Sequence, residues 1–311
     1  MKIGITGGAG FIGSNLAEHL CLKGHEVYVF DNLESGSKEN LLGIDCKFVE
    51  GDLREKESIQ TFLDRHKIEH LVHLGALGSV PRSIKHPRAS FESNALATLN
   101  ALEAIRNLEI SLTFSSSSSV YGKNSKLPKS EIDWLSPLSP YAASKLAAEG
   151  LCLAYKESYK LNILVYRLFN VFGPRQNANS IYSAVIPKWI IAAFKKEPLV
   201  VFGNGQQRRD FTFIEDVVEI LGRPIDKSIL PQLPVNLAFG NPVTLNYILD
   251  VFREYFGDIL ISYEDVRHGD IKDSEANPES LLKLHEGKLL HTSIESGLLK
   301  TFEWFKSKYS F

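Results

Sequence analysis

Seven residues near the start of the chain, Gly7-Gly8-Ala9-Gly10-Phe11-Ile12-Gly13, restrict its fold more than any other stretch. They follow an apolar run of strand character, Lys2–Thr6, and open a run of helical periodicity, Phe11–Leu22. Gly8, Gly10 and Gly13 fit the pattern G-x-G-x-x-G, and Gly7, Gly10 and Gly13 fit the wider G-x-x-G-x-x-G. Glycines so spaced permit a tight turn, close approach of backbone to a pyrophosphate and close packing of the helix. N–H groups at the helix start then point at phosphate oxygens. The pattern alone is a weak signal. Its position between a strand and a helix, with an acidic residue ending the next strand, makes it a specific one.

That acidic residue is Asp31, which follows a predicted strand over 26–30. A carboxylate there accepts hydrogen bonds from ribose hydroxyls and repels a 2′-phosphate, which predicts NAD rather than NADP as cofactor. Asp52 follows a third predicted strand, Lys47–Glu50, and is placed to reach the adenine. Further strands are predicted over 70–74, 111–115 and 162–168, with helices over Lys56–His66, 89–108 and 141–160. Strand–helix alternation at this spacing implies an α/β fold, with a parallel sheet covered on both faces and right-handed crossovers. The expected fold is a doubly wound parallel sheet (Rossmann) with a smaller α+β C-terminal substrate domain. The expected division is 1–168 for the cofactor domain, with the chain returning to it around 210–240, and 169–311 for the mainly substrate-binding part. In that second half, helices are predicted over 185–195, Leu245–Phe256 and 294–308, and strands over 198–202 and 234–238.

Composition excludes several classes. With 311 residues, 44% hydrophobic and 23% charged, the chain has the makeup of a globular protein rather than a disordered one. A net charge of −2 offers no broad attraction for nucleic acid or an anionic membrane. No apolar run approaches the ~20 residues of a membrane helix, and the N-terminus lacks a secretory pattern. Cys21, Cys46 and Cys152 stand far apart with no metal spacing and read as reduced thiols. These features place the expected protein in the cytoplasm, with no metal.

The second chemical feature is Tyr141-Ala142-Ala143-Ser144-Lys145 at the start of a helical stretch. Residues four apart lie one turn apart on one helix face. An ammonium there stabilises phenolate, which predicts a tyrosine pKa drawn down from about 10. The run Ser115-Ser116-Ser117-Ser118-Ser119 ends a predicted strand, and a hydroxyl at the carboxyl end of a sheet strand faces the ligand crevice. The run alone does not say which serine meets the tyrosine.

With these motifs together the sequence resembles the extended short-chain dehydrogenase/reductase family, and within it the UDP-hexose 4-epimerases. The motifs are Thr6 to Gly13, Asp31-Asn32-Leu33, Gly51-Asp52-Leu53, Ser115 to Gly122, Tyr141 to Lys145, Arg167 to Pro174 and Arg209-Asp210-Phe211. The resemblance implies Tyr141, Lys145 and Ser117 as the catalytic set. It implies that Gly7, Gly10, Phe11, Ile12, Asp31, Asn32, Asp52, Leu53, Leu74, Gly75, Ala76, Asn94 and Phe169 contact NAD, together with Tyr141 and Lys145. It also implies that Asn170, Arg209, Arg267 and Asp270 hold the diphosphate and ribose of a UDP-sugar. Guanidinium groups suit that task in a near-neutral protein. The stretch His73 to Gly78 departs from the family's His-x-Ala-Ala, although small residues are kept. Ser118 and Ser119 stand where dehydratases carry an Asp-Glu pair, which argues against elimination of water.

The stretches containing Ser79 and Arg82, and Arg267 to Ser274, resemble epimerases that accept N-acetylated UDP-hexoses, and Ser274 leaves room for an acetamido group. The implied activity is NAD-dependent C4 epimerisation of UDP-glucose or UDP-N-acetylglucosamine. A C2 epimerase, a decarboxylase or a 4-keto reductase is the alternative enzyme, and a non-catalytic NAD-binding scaffold the alternative outside enzymes. The family commonly forms homodimers through two helices per subunit, here 89–108 and 141–160.

Overall fold

The computed structural model describes residues 1–178, 184–223, 225, 230–266 and 273–309. The chain divides into two units. The first holds 1–124, 131–168 and 218–235; the second holds 125–130, 169–217 and 236–311.

In the first unit β1 (Lys2–Thr6), α1 (Phe11–Leu22), β2 (Glu26–Asp31), β3 (Lys47–Glu50), α2 (Lys56–His66) and β4 (His70–His73) follow in order. Then come α3 (Val80–Lys85), α4 (Pro87–Phe91), a π-helical turn (Glu92–Leu96), α5 (Ala97–Ile105), β5 (Ser111–Ser117), α6 (Pro140–Tyr159) and β6 (Ile163–Leu168). β1 pairs in parallel with both β2 and β4, β2 with β3, β4 with β5 and β5 with β6. With a later strand, β11 (Val235–Leu237), the seven-stranded order is β11-β6-β5-β4-β1-β2-β3. Strand order therefore reverses between β1 and β4, and the carboxyl ends of those two strands form the switch point at which such sheets bind ligands.

The inner strands are buried on both faces, as parallel sheets require: β4 and the last four residues of β1 are buried throughout, while the edge strand β3 is not. One side is closed by a cluster containing Phe30, Phe62, Leu71, Leu102, Ile105, Leu112, Phe114, Ala148, Cys152 and Ile163. Burial of this apolar area, at about 25 cal/mol per Å², is the main force holding α2, α5 and α6 on the sheet. The cysteines are free thiols.

The second unit is built from shorter pieces. β7 (Asn170–Phe172) pairs in parallel with β10 (Phe211–Phe213), and β8 (Leu199–Phe202) with β13 (Ile261–Glu264). β9 (Arg208–Arg209) runs antiparallel to β12 (Val243–Thr244). α7 (Val185–Phe194), α9 (Leu245–Phe256), α10 (Glu279–Leu284) and α11 (Ile294–Tyr309) belong here, while α8 (Ile214–Leu221) spans the boundary at Val217. Buried Phe252 and Phe302 meet in its core, with the partly exposed Tyr255 and Phe256 packed against them. Among the described residues no helix is long and apolar enough to cross a membrane.

The helix expected over 89–108 is interrupted. Pro87 starts α4, and the five residues Glu92–Leu96 form a π turn before α5 resumes. The widened turn carries Asn94, whose buried amide bonds to groups outside its own helix. β5 runs two residues beyond the expected end, because Ser116 and Ser117 continue the ladder opposite Arg167 and Leu168.

Candidate active site

The carboxyl ends of β1 to β5 carry many of the predicted residues of the first unit, while Arg82, Asn94, Tyr141 and Lys145 lie on helices. After β1, Gly7 has φ of 68°, and a Cβ there would lie 2.7 Å from the Gly75 backbone. A Cβ on Gly13 would lie 2.3 Å from the Gly7 carbonyl oxygen. Only hydrogen fits at either point, so the loop is drawn tight against the segment after β4. The N-cap of α1 is Gly10, with no side-chain cap and no acidic residue in the first turn. The start of α1 therefore keeps a positive end that suits an anion. This cradle of glycine backbone fits a dinucleotide pyrophosphate.

Asp31, buried at the end of β2, is fixed by two backbone donors: Ala9 N–H to Oδ2 at 3.0 Å and Leu33 N–H to Oδ1 at 2.8 Å. Burial raises its pKa and the two backbone bonds oppose the rise. Asp52 accepts from Arg54, by backbone and by side chain, and from Asn32 Nδ2 at 3.0 Å. The Arg54 hydrogen bond holds its carboxyl down at about 2. Leu53 lies against Gly75, and Leu74 N–H donates to Thr6 O at 3.1 Å. Phe11, Ile12 and Ala76 are partly buried around the same strand ends.

The helix that carries the expected catalytic pair begins where its sequence dictates. Ser139 caps α6 by accepting from Ala142 N–H at 3.1 Å, and Pro140 occupies the first turn, where its missing N–H costs nothing. Tyr141 thus enters on the first turn and Lys145 one turn later, on the face that also buries Ala148, Glu149 and Cys152. The Ser117 hydroxyl, on the last residue of β5, interacts with the phenol and favours its ionised form. Ser117 also accepts from Ser119 N–H at 3.2 Å and from the Ser119 hydroxyl at 2.9 Å. The neighbouring serines are committed elsewhere: Ser115 donates to His73 O and Ser116 to Glu149. Lys145 is 4% exposed, its ammonium 4.5 Å from the centre of the Phe114 ring.

The pKa balance differs from the sequence expectation. Burial pushes the Tyr141 phenol up, and Ser117 only partly opposes this. Burial also pushes Lys145 down to about 8, against smaller raising effects from Cys152 and Glu149. Desolvation penalises both charged forms, so in this state the ammonium does not dominate the phenol.

A buried polar chain, which sequence reasoning missed, links the cofactor loops to α6. Gly75 N–H donates to Thr6 Oγ1 at 3.3 Å, and Thr6 Oγ1 lies 2.6 Å from His73 Nδ1. His73 Nε2 lies 3.0 Å from Thr98 Oγ1, which donates to Asn94 O at 2.6 Å. Because the Thr98 proton is used there, His73 Nε2 is the donor and Nδ1 the acceptor. Burial holds this imidazole neutral, with its pKa pushed down to about 3. Asn94 then accepts from Leu77 N–H at 2.8 Å and donates to Ser144 Oγ at 2.8 Å, and Ser144 donates to Tyr141 O. In the sequence His73 stands out only as the first residue of the stretch that departs from the family pattern. Nothing local to Thr98 or Ser144 marks them.

Arg82 lies on α3, where Ser79 caps the helix by accepting from Arg82 N–H at 3.2 Å. Its guanidinium is ion-paired with Glu34, which also pairs with Arg54 at 3.3 Å. In the second unit, Asn170 donates to Asp210 O at 3.2 Å, and Arg209 Nη1 to Arg208 O at 2.9 Å. Ser274 N–H donates to Arg208 O at 3.0 Å, so Asn170, Arg209 and Ser274 lie on neighbouring segments. Phe169 is buried beside them, its N–H directed at Leu237 O. Arg267 and Asp270 lie outside the described residues.

A doubly wound sheet with a glycine cradle, an acidic residue ending β2 and a Tyr–Ser–Lys set beside the switch point defines a dinucleotide-dependent enzyme. The chain belongs to the NAD dependent epimerase/dehydratase family, whose model matches residues 3–237. It is 32% identical over 315 residues to the UDP-glucuronate 4-epimerase of Thermodesulfobacterium geofontis, covering 97% of this chain and 95% of that one. It is 34% identical to UDP-glucuronic acid decarboxylase 1 of Xenopus tropicalis, covering 99% of this chain and 72% of that protein. Among solved structures it is similar to the UDP-N-acetylglucosamine 4-epimerase of Methanobrevibacter ruminantium in complex with UDP-N-acetylmuramic acid. The identity there is 35% and the TM-score 0.91, over 99% of this chain and 98% of the other.

Proposed function

We propose that this enzyme interconverts a UDP-hexose and its C4 epimer through a transient 4-keto sugar. The observation that carries the reading is Ser117 at the end of β5, acting on the Tyr141 phenol, with Tyr141 and Lys145 one turn apart at the start of α6. Tyr141 takes the proton of the sugar 4-hydroxyl and later returns it. Ser117 carries the hydrogen bond between that hydroxyl and the phenol. Lys145 supplies the ammonium that favours phenolate and binds the nicotinamide ribose. Gly7, Gly10, Phe11 and Ile12 hold the pyrophosphate of NAD. Asp31 and Asn32 hold the adenosine ribose, while Asp52 and Leu53 meet the adenine. Leu74, Gly75, Ala76, Asn94 and Phe169 complete the cofactor contacts. NAD, when bound, supplies a positively charged ring that takes up hydride from C4 and gives it back.

Epimerisation requires the ketose to present its other face while the nucleotide stays bound. Asn170, Arg209, Arg267 and Asp270 are assigned to the diphosphate and ribose, leaving the sugar mobile. Ser79, Arg82 and Ser274 are assigned to the hexose, with Ser274 leaving volume for an N-acetyl group. For the proposed homodimer the surface is formed by α4, α5 and α6, and the exposed Phe91 and Leu96 support it.

A second reading has one specific support, the likeness to a UDP-glucuronic acid decarboxylase. Oxidation at C4 of a uronate gives a β-keto acid, which can lose carbon dioxide. Incubation with UDP-glucose, UDP-N-acetylglucosamine and UDP-glucuronate, followed by separation of products, decides between them. C4 epimers support the proposal, whereas a UDP-pentose and carbon dioxide favour the second reading.

A further inference from the structure

Glu149 lies one turn beyond Lys145 on the inward face of α6. It is 2% exposed, as is Arg167 of β6. Arg167 grips both carboxylate oxygens, Nη2 donating to Oε1 at 2.6 Å and Nε to Oε2 at 3.1 Å. The Ser116 hydroxyl donates to Oε2 at 2.6 Å. The third arm of the guanidinium donates to the Tyr121 hydroxyl at 2.9 Å, and its carbon lies 4.9 Å from the centre of that ring. Ser116 and Arg167 face each other in the β5–β6 ladder.

Taking two charges out of water is costly, and a well-packed apolar pair would anchor a helix equally well. What an apolar pair lacks is a fixed anion on the face that carries Lys145. Of the two groups that raise the Lys145 pKa, Cys152 is an uncharged thiol because burial pushes its own pKa far up, which leaves Glu149 as the anion. His73 of β4 is neutral, Phe114 offers a ring face, and Tyr141 a phenol. The Arg167 guanidinium is spent on the carboxylate itself.

We propose that Glu149, clamped by Arg167 and Ser116, is a positioning residue that keeps the Lys145 ammonium protonated and ties α6 to β5 beside Ser117. The proposal rests on reading Tyr141 and Lys145 as the catalytic pair. It assigns Glu149 no contact with substrate or cofactor.

The test is a lysine ¹³Cε NMR titration of the full-length, NAD-loaded protein, with the Lys145 signal identified by its loss in Lys145→Met. In Glu149→Gln the Lys145 midpoint falls by about half a pH unit or more, a roughly threefold loss of ammonium at a given pH. The alkaline limb of kcat moves down with it while KM holds. An unchanged midpoint overturns the proposal. Should Glu149→Gln not fold, the double variant Glu149→Met/Arg167→Met removes both charges and leaves neither unpaired. Its midpoint must lie below that of Arg167→Met, which keeps the carboxylate, and equal midpoints in these two variants overturn the proposal. Full turnover by Lys145→Met would instead overturn the catalytic reading, which the titration does not depend on.

Discussion

Lys145 and Phe114 meet face on, the ammonium 4.5 Å from the ring centre, and this contact fixes how a charged group survives in the core of the first unit. The aromatic face returns part of the hydration that burial removes, yet the pKa still falls to about 8.

A lysine at about 8 in the folded chain and near 10.5 in the unfolded one makes stability depend on pH. Between those values the unfolded chain binds more protons, so stability rises with pH through the window. The cost of the buried ammonium is fully present below pH 8. Lys145→Met therefore melts higher than wild type at neutral pH, by roughly 1–3 kcal/mol, and the gap narrows towards pH 10. Turnover is lost in the same variant. Thermal melts across pH check the first statement and an epimerisation assay the second.

Two buried histidines make the sheet acid-sensitive. His70 bonds to Ser111 and Thr113, and His73 to Thr6 and Thr98. Burial pushes their pKa values down to about 4 and about 3. Below pH 6.5 the unfolded chain takes up protons that the folded chain refuses, so stability falls as pH drops. The loss is roughly 2–3 kcal/mol per histidine by pH 4. Urea denaturation at pH 7 and pH 4 measures it, and His70→Asn flattens the dependence.

Asp31 can be tested on the cofactor alone. Asp31→Ala removes the proposed ribose acceptor and also frees the Ala9 and Leu33 N–H groups. NAD binding weakens by about 1.5–3 kcal/mol, some tenfold to hundredfold in Kd, and the preference against NADP shrinks. Calorimetric titration of cofactor-free protein with both nucleotides reads this.

Severing the buried polar chain at Thr98 acts at a distance. Thr98→Val leaves His73 Nε2 without its acceptor at nearly constant volume, costing about 1–3 kcal/mol of stability. Because the chain reaches Asn94 and Ser144, kcat falls more than KM rises. Denaturation and steady-state kinetics on the variant separate the two effects.

Much of the first unit was readable before any coordinates, for identifiable reasons. α1 and α2 run over the residues that apolar periodicity marks, and α9 does so in the second unit. Ser139-Pro140 marks the start of α6 as sharply as any cap pair can. The π turn at Glu92–Leu96 was not readable, because its cause is the distant set of partners that Asn94 reaches. β5 was read too short because serine carries little strand signal, although Ser116 and Ser117 complete the ladder. β7, β9, β10 and β12 hold two or three residues each, too few for alternation to register. Of the proposed catalytic residues, Tyr141 and Lys145 are legible by spacing. Spacing leaves all five serines open; the family resemblance points to Ser117, and the bonds of Ser115 and Ser116 to other partners agree with that choice. Glu149 was within reach, four positions after Lys145, but its partner Arg167 is not adjacent in sequence.

In the proposed reaction hydride leaves C4 and returns to the same carbon from within the site. A UDP-hexose carrying deuterium at C4, incubated with the NAD-loaded enzyme in ordinary water, tests this. The expected product is a C4 epimer that retains the deuterium at C4. Loss of the label to solvent, its appearance at another carbon, or an unaltered rate in Tyr141→Phe would contradict it.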